Sequence, residues 1–268
     1  MYKNLINAIR KSGNNLHMKV VKILEETGFE VDLNSYYYDD TMEKPREIDI
    51  IARRIIDSSD GYQFNNQEKF EVSLFVECKH FKKEIAFRLH NANRDYLEEG
   101  ILIRPFLLIP EVNTKEKILS KSYIMHHHLG LSLVGKLHDT PKENENELFN
   151  AITQPVKSYV FSEYYLNWGI SYLVVVYENI SGIYEIIKKD LNTEYFNSLE
   201  PKQSLTFGIM YSYKQSQSGD IKRNRVFLID FIHKEKLKDY LGQIVKEVQK
   251  LAELIPTVVL ARKKGLKI

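Results

Sequence analysis

In "FVECKHF", Phe75 to Phe81, a carboxylate and an ammonium stand two residues apart at the end of an apolar run. Side chains alternate along an extended strand, so Glu77 and Lys79 share one face while Val76 and Cys78 take the other. Upstream, "REIDIIARRI" from Arg46 alternates in the same way and carries Asp49. If the two strands are neighbours, Asp49, Glu77 and Lys79 can meet at the strand ends. Converging carboxylates repel unless a cation lies between them, and hard oxygen ligands suit Mg²⁺ or Mn²⁺. A lysine beside them can orient an attacking water and stabilise the charge that builds on a phosphodiester under attack. The chemistry this suggests is phosphodiester hydrolysis. A lone Glu-x-Lys tripeptide is common, however, and by itself describes only an ion pair at a strand end.

The elements around these residues decide whether they can converge. "NNLHMKVVKILEET" places Leu16, Val20, Ile23 and Leu24 at helical spacing, and Gly28 supplies the stop. "FEVDLNSYYY" from Phe29 and the Asp49 segment alternate as half-buried strands, and a polar loop from Asp57 to Glu68 leads into "KFEVSLFVECK". Beyond it, "KKEIAFRLHNANRDYLEEG" has helical character, "RPFLLIPE" is a short strand, "TKEKILSKSYIMHHHLG" a helix and "LSLVGK" a strand. The resulting order, α, β, β, β, α, β, α, β, is that of an α/β unit with a mixed sheet.

With "EIDIIARR" and "FVECKH" following a helix and the strand "GFEV", residues 13–135 resemble the PD-(D/E)xK nuclease superfamily, most closely its Mrr-type restriction endonucleases. The resemblance implies a restriction endonuclease-like αβββαβ core with a mixed sheet. It implies a Mg²⁺ or Mn²⁺ site held by Asp49, Glu77 and the backbone carbonyl of Cys78, with Lys79 assisting the attacking water. At the place on the first helix where many relatives carry a glutamate, this chain has His17; either that residue, Glu25, Glu26 or Glu30 fills the role, or the site lacks that group. In this fold the helix after the Glu-x-Lys strand often faces the nucleic-acid backbone, so Lys82, Lys83, Arg88, Asn91 and Arg94 are candidate contacts, with a solvated face the equal alternative. DNA is the expected substrate, a homodimer would let two sites cut two strands, and a role in defence against foreign DNA follows by analogy. The competing reading is a noncatalytic binding or assembly module that keeps the scaffold.

From His138 to Asn150 the chain turns polar and charged, which places a linker there between a nuclease domain at 1–137 and a second domain at 151–268. In the second half "SYLVVVYE", "GIYEIIKK", "LTFGIMYSYK" and "NRVFLIDFIH" read as strands and the segment from Lys234 as a long helix, giving an α+β domain of mainly antiparallel sheet. The chain has 268 residues, 43% hydrophobic and 28% charged, with a net charge of +2, so any nucleic-acid surface must be a local patch. Its single cysteine excludes an internal disulfide, and no apolar run approaches a membrane span, which predicts a cytoplasmic protein.

Other features attract duller explanations. His126, His127 and His128 on one helix would point about 100° apart and cannot converge on one ion. In Tyr36–Tyr38 alternation buries Tyr37 and leaves its neighbours on the surface. "YVFSEYYLNWG" from Tyr159 is either a ligand pocket or packing between the halves, and "ARKKGLK" from Ala261 a basic end.

Overall fold

A computed structural model describes residues 14–40, 42–56, 70–81, 85–87, 89–91, 102–103, 132–134, 142–166, 169–179, 183–186, 199–201, 206–215 and 223–249. Helix α1 (Asn14–Glu26) buries Leu16, Val20 and Leu24, one apolar stripe. It stops where Gly28 takes φ +82° and Phe29 N–H donates to Leu24 O at 3.0 Å, while the Thr27 hydroxyl donates to Ile23 O. Strands β1 (Glu30–Asp39), β2 (Lys44–Ile56) and β3 (Phe70–Phe81) follow as an antiparallel meander. Residues 70–78 of β3 are buried without a break, as befits a strand covered on both faces.

The strand on the far side of β3 comes from the second half of the chain. Strand β8 (Gly169–Asn179) lies parallel to β3 from the Glu71↔Gly169 pair to Phe81↔Asn179. Strand β12 (Arg223–His233) continues parallel to β8, and β11 (Thr206–Gln215) returns antiparallel to β12. Short strands complete the sheet: β7 (Ser132–Val134) beside β11, β5 (Leu89–Asn91) beside β7, and β6 (Leu102–Ile103) against the start of β8. Among the described residues this is one mixed, nine-stranded sheet. A second sheet joins β10 (Leu199–Pro201), β9 (Ile183–Ile186) and β4 (Ile85–Phe87). The architecture is α/β, with helices on both faces of the mixed sheet.

Three expectations are corrected. The linker placed at 138–150 becomes, from Lys142, the first part of helix α2 (Lys142–Ser162). The boundary there does not divide the strands into two sheets, because β3 and β8 are adjacent, and β8 runs parallel to both β3 and β12 rather than joining a separate, mainly antiparallel sheet. Within the helix expected after β3, residues 85–87 and 89–91 are strand. The strand expected at "RPFLLIPE", the helix at 114–130 and the basic end from Ala261 lie outside the described residues.

Helix α1 and helix α3, at 237–249, cover one face of the sheet over Ile50, Val72, Leu74, Val76 and Val174. Helix α2 covers the other over Ile51, Phe75, Leu173 and Phe227. Tyr159 of α2 is the centre of that second layer, edge-on to Phe75 at 5.6 Å and to Phe227 at 6.1 Å. The aromatic stretch beginning there is therefore divided: Tyr159 is core, while Tyr165 is 84% exposed. Tyr159→Ala removes a ring that holds strands from both halves of the chain, and a loss of about 3 to 5 kcal/mol is expected in chemical denaturation.

Among the described residues no helix is long and apolar enough to cross a membrane.

Candidate metal and nucleic-acid site

Asp49 sits where β2 breaks its alternation. Leu33↔Ile50 and Ser35↔Ile48 are paired across β1 and β2, but the pair between them is interrupted and Asn34 takes φ 53°. As a result Ile48 and Ile50, two residues apart and both fully buried, face different layers: Ile48 packs under α2 and Ile50 under α1. The pairing of β2 with β3 also ends at Ile50↔Val76. Two residues farther along β3, Cys78 N–H donates to Asp49 Oδ2 at 2.7 Å. A side-chain carboxylate thus takes a ladder donor that the departing strand no longer satisfies.

From α1, His17 reaches the same carboxylate, with Nε2 3.2 Å from Asp49 Oδ2. That hydrogen bond raises the His17 pKa; burial opposes it, and the charges of Asp49 and Glu77 add to the rise. Ligand atoms of His17, Asp49 and Cys78 all lie within 4.8 Å of one another. His17 is thus the residue of α1 that reaches Asp49.

Glu77 is 1% exposed and lies on the face of β3 opposite Cys78. Lys79 Nζ stands 2.5 Å from Glu77 Oε1, whereas Oε2 is buried with no hydrogen-bond partner among the described residues. Burial pushes the Glu77 carboxyl up to about 7, Asp49 adds to the rise, and Lys79 and His17 pull against it. Burial works against the charge on Lys79 as well, but the Glu77 carboxylate outweighs it and holds the ammonium above its usual range. Burial drives the Cys78 thiol well up, with Asp49 and Glu77 adding to it.

The expected trio is thus brought to one strand end, with Asp49 nearest His17 and Cys78, and Glu77 nearest Lys79. Asn91 lies in β5 instead of a helix, while Lys82, Lys83, Arg88, Arg94 and the run His126–His128 lie outside the described residues. Tyr37 is buried and its neighbours Tyr36 and Tyr38 are exposed, as alternation requires.

Two features escaped sequence reasoning. The Cys78 side chain joins His17 and Asp49, where only its carbonyl was expected. Next to Lys79 on the sheet, Glu178 pairs with Lys234 and lies 3.5 Å from His80 Nδ1, a cluster built by the parallel pairing His80↔Glu178. Reading the buried apolar face of "FVECKHF" for a side-chain donor would have found the first. The second depends on pairing between strands remote in sequence.

Compared with protein-family models, curated proteins and solved structures, the chain matches none.

Proposed function

We propose that the chain is a metal-dependent nuclease of the PD-(D/E)xK kind, with DNA as its substrate and restriction of foreign DNA as its setting. The reading rests on a buried, half-unsatisfied Glu77 paired with Lys79 at the strand end where Asp49 leaves the β2–β3 ladder. Its fold argument is that α1, β1, β2, β3, α2 and β8 supply an αβββαβ series in which the last strand joins β3 in parallel. The α and β elements that complete the series are then α2 and β8, with residues 82–141 interposed after β3.

Carboxylate and carbonyl oxygens suit a divalent cation, and on this reading Asp49, Glu77 with its unpaired Oε2, and the Cys78 carbonyl would hold it. When bound, such an ion supplies charge that polarises the phosphate and acidifies water. Lys79 stays protonated beside Glu77, so its part is to stabilise the negative charge on the phosphate rather than to take a proton. Without the ion, burial holds the Glu77 carboxyl up at about 7, and a bound cation would favour its charged form. His17 holds Asp49 in place from α1. Plasmid, linear duplex and single strands incubated with Mg²⁺ or Mn²⁺ test the proposal; cleavage that persists in both Glu77→Ala and Lys79→Ala would refute it.

A noncatalytic scaffold is the second reading, favoured by the engagement of Asp49 with both His17 and Cys78 N–H. Calorimetric titration with Mn²⁺ separates the two, because the nuclease must bind the ion and the Asp49→Ala variant must lose it. Light scattering tests the proposed homodimer: a monomer at working concentration would remove the paired-site scheme.

A further inference from the structure

The donor atoms gathered around Asp49 are of three kinds. His17 offers an imidazole nitrogen, Asp49 an oxygen and Cys78 a sulfur, all within 4.8 Å of one another. Mg²⁺ selects oxygen ligands and holds its waters tightly, so nitrogen and sulfur add nothing to its site. Zn²⁺ and Co²⁺ accept all three donor types, with bonds of about 2.0 to 2.3 Å that place neighbouring ligand atoms about 3 to 4 Å apart. The 3.2 Å between His17 Nε2 and Asp49 Oδ2 already falls in that range. Glu77, on the opposite face of β3, supplies none of these three donors.

We propose that this centre binds a borderline transition ion of the Zn²⁺ or Co²⁺ type through His17 Nε2, the Asp49 carboxylate and Cys78 Sγ. The proposal rests on the reading of this strand end as a metal centre, and it changes the ion and the ligands. Binding releases the thiol proton to solvent and leaves sulfur bonded to the metal. Helix α1 becomes part of the centre, because His17 is its one ligand there. The Cys78 backbone keeps its own role, its N–H holding Asp49 while its side chain turns to the ion.

The test is a titration of the full chain with Co²⁺ and, separately, Mg²⁺, read by calorimetry and by near-ultraviolet absorption. A sulfur-to-cobalt charge-transfer band is expected in the wild type and lost in Cys78→Ser, with Co²⁺ affinity falling at least about tenfold. His17→Ala is expected to weaken Co²⁺ by a similar factor and to keep the band. Mg²⁺ affinity is expected to change less than about twofold in Cys78→Ser, since the backbone carbonyl that would serve that ion is kept. Absence of the band in the wild type overturns the proposal, as does unchanged Co²⁺ affinity in His17→Ala, which decides the matter if Cys78→Ser does not fold. Mg²⁺ binding that depends on Glu77, without any cobalt band, would defeat this proposal and leave the nuclease reading intact. A cobalt band in a protein that cuts no nucleic acid would do the reverse, and failure to bind either ion defeats both.

Discussion

Under the proposed nuclease reading, Glu77→Gln is expected to do two opposed things: to stop cleavage and to stabilise the metal-free fold. The amide keeps the shape and the acceptor oxygen that faces Lys79, but removes a charge that is almost wholly excluded from water. Because burial raises this carboxyl from 4.5 to about 7, the folded chain holds a proton that the unfolded chain gives up across that interval. The unfolded state binds fewer protons there, so stability falls as pH rises from about 4.5 to about 7 and stays lower above it. The wild type should therefore lose on the order of 2 to 3 kcal/mol between pH 4.5 and 8 from this residue, at about 1.4 kcal/mol per pH unit. Glu77→Gln should escape that loss. In chelator-treated protein its melting temperature should exceed the wild type's at pH 8 by several degrees and match it at pH 4.5. Added Mn²⁺ should reverse the order at pH 8, since only the wild type gains from binding. Cleavage under the same conditions should fall by at least about 10³-fold. A wild type no less stable at pH 8 than the variant, measured without metal, would show that burial does not raise the Glu77 carboxyl as described above.

The second large effect is structural. At the head of the β3–β8 ladder, Gly169 opposes Glu71 with φ +156°, and a Cβ placed there would stand 1.7 Å from the Glu71 carbonyl oxygen. Backbone carbon and nitrogen of the same residue follow at 2.6 and 2.8 Å, so no side-chain rotation can relieve the clash. Gly169→Ala must push β8 away from β3 at its first pair. The expected loss exceeds about 3 kcal/mol, seen as an unfolded or loosely packed protein by near-ultraviolet circular dichroism. Gly242 of α3 is the control, because its Cβ position is open. Gly242→Ala should stabilise by about 0.5 to 1 kcal/mol. Equal behaviour of the two variants would contradict the described closeness of the strands.

Periodicity made much of this chain legible. The stripe of Leu16, Val20 and Leu24 marked α1, the alternation in β1 and β2 placed Tyr37 inside, and the long apolar runs marked β3, β8, β11 and β12. Helix α2 escaped because it begins with "KENENE", a charged opening whose apolar side starts only at Leu148. Composition there is that of a linker, and the sheet face on which the helix packs is built from strands remote in sequence. The site was legible as residue types and not as a partition. Asp49 was read as able to meet Glu77 at the strand ends; that Asn34 breaks the β1–β2 alternation and that the carboxylate engages His17 and Cys78 was not readable. A left-handed residue on one strand that redirects a side chain on the next leaves no mark in the alternation of either. Likewise the neighbour of β3 could not be read locally, since "SYLVVVYE" is equally suited to any buried sheet position.

The pairing of β3 with β8 also sets how the chain can reach its fold. The central contact of the sheet joins residues separated by most of a domain's length of chain, so its loop must close before its hydrogen bonds and burial can contribute. Folding should be slow for this size and cooperative across both halves. A fragment ending at residue 137 would leave the β8 side of β3 as a long apolar edge, and it should aggregate during synthesis rather than fold.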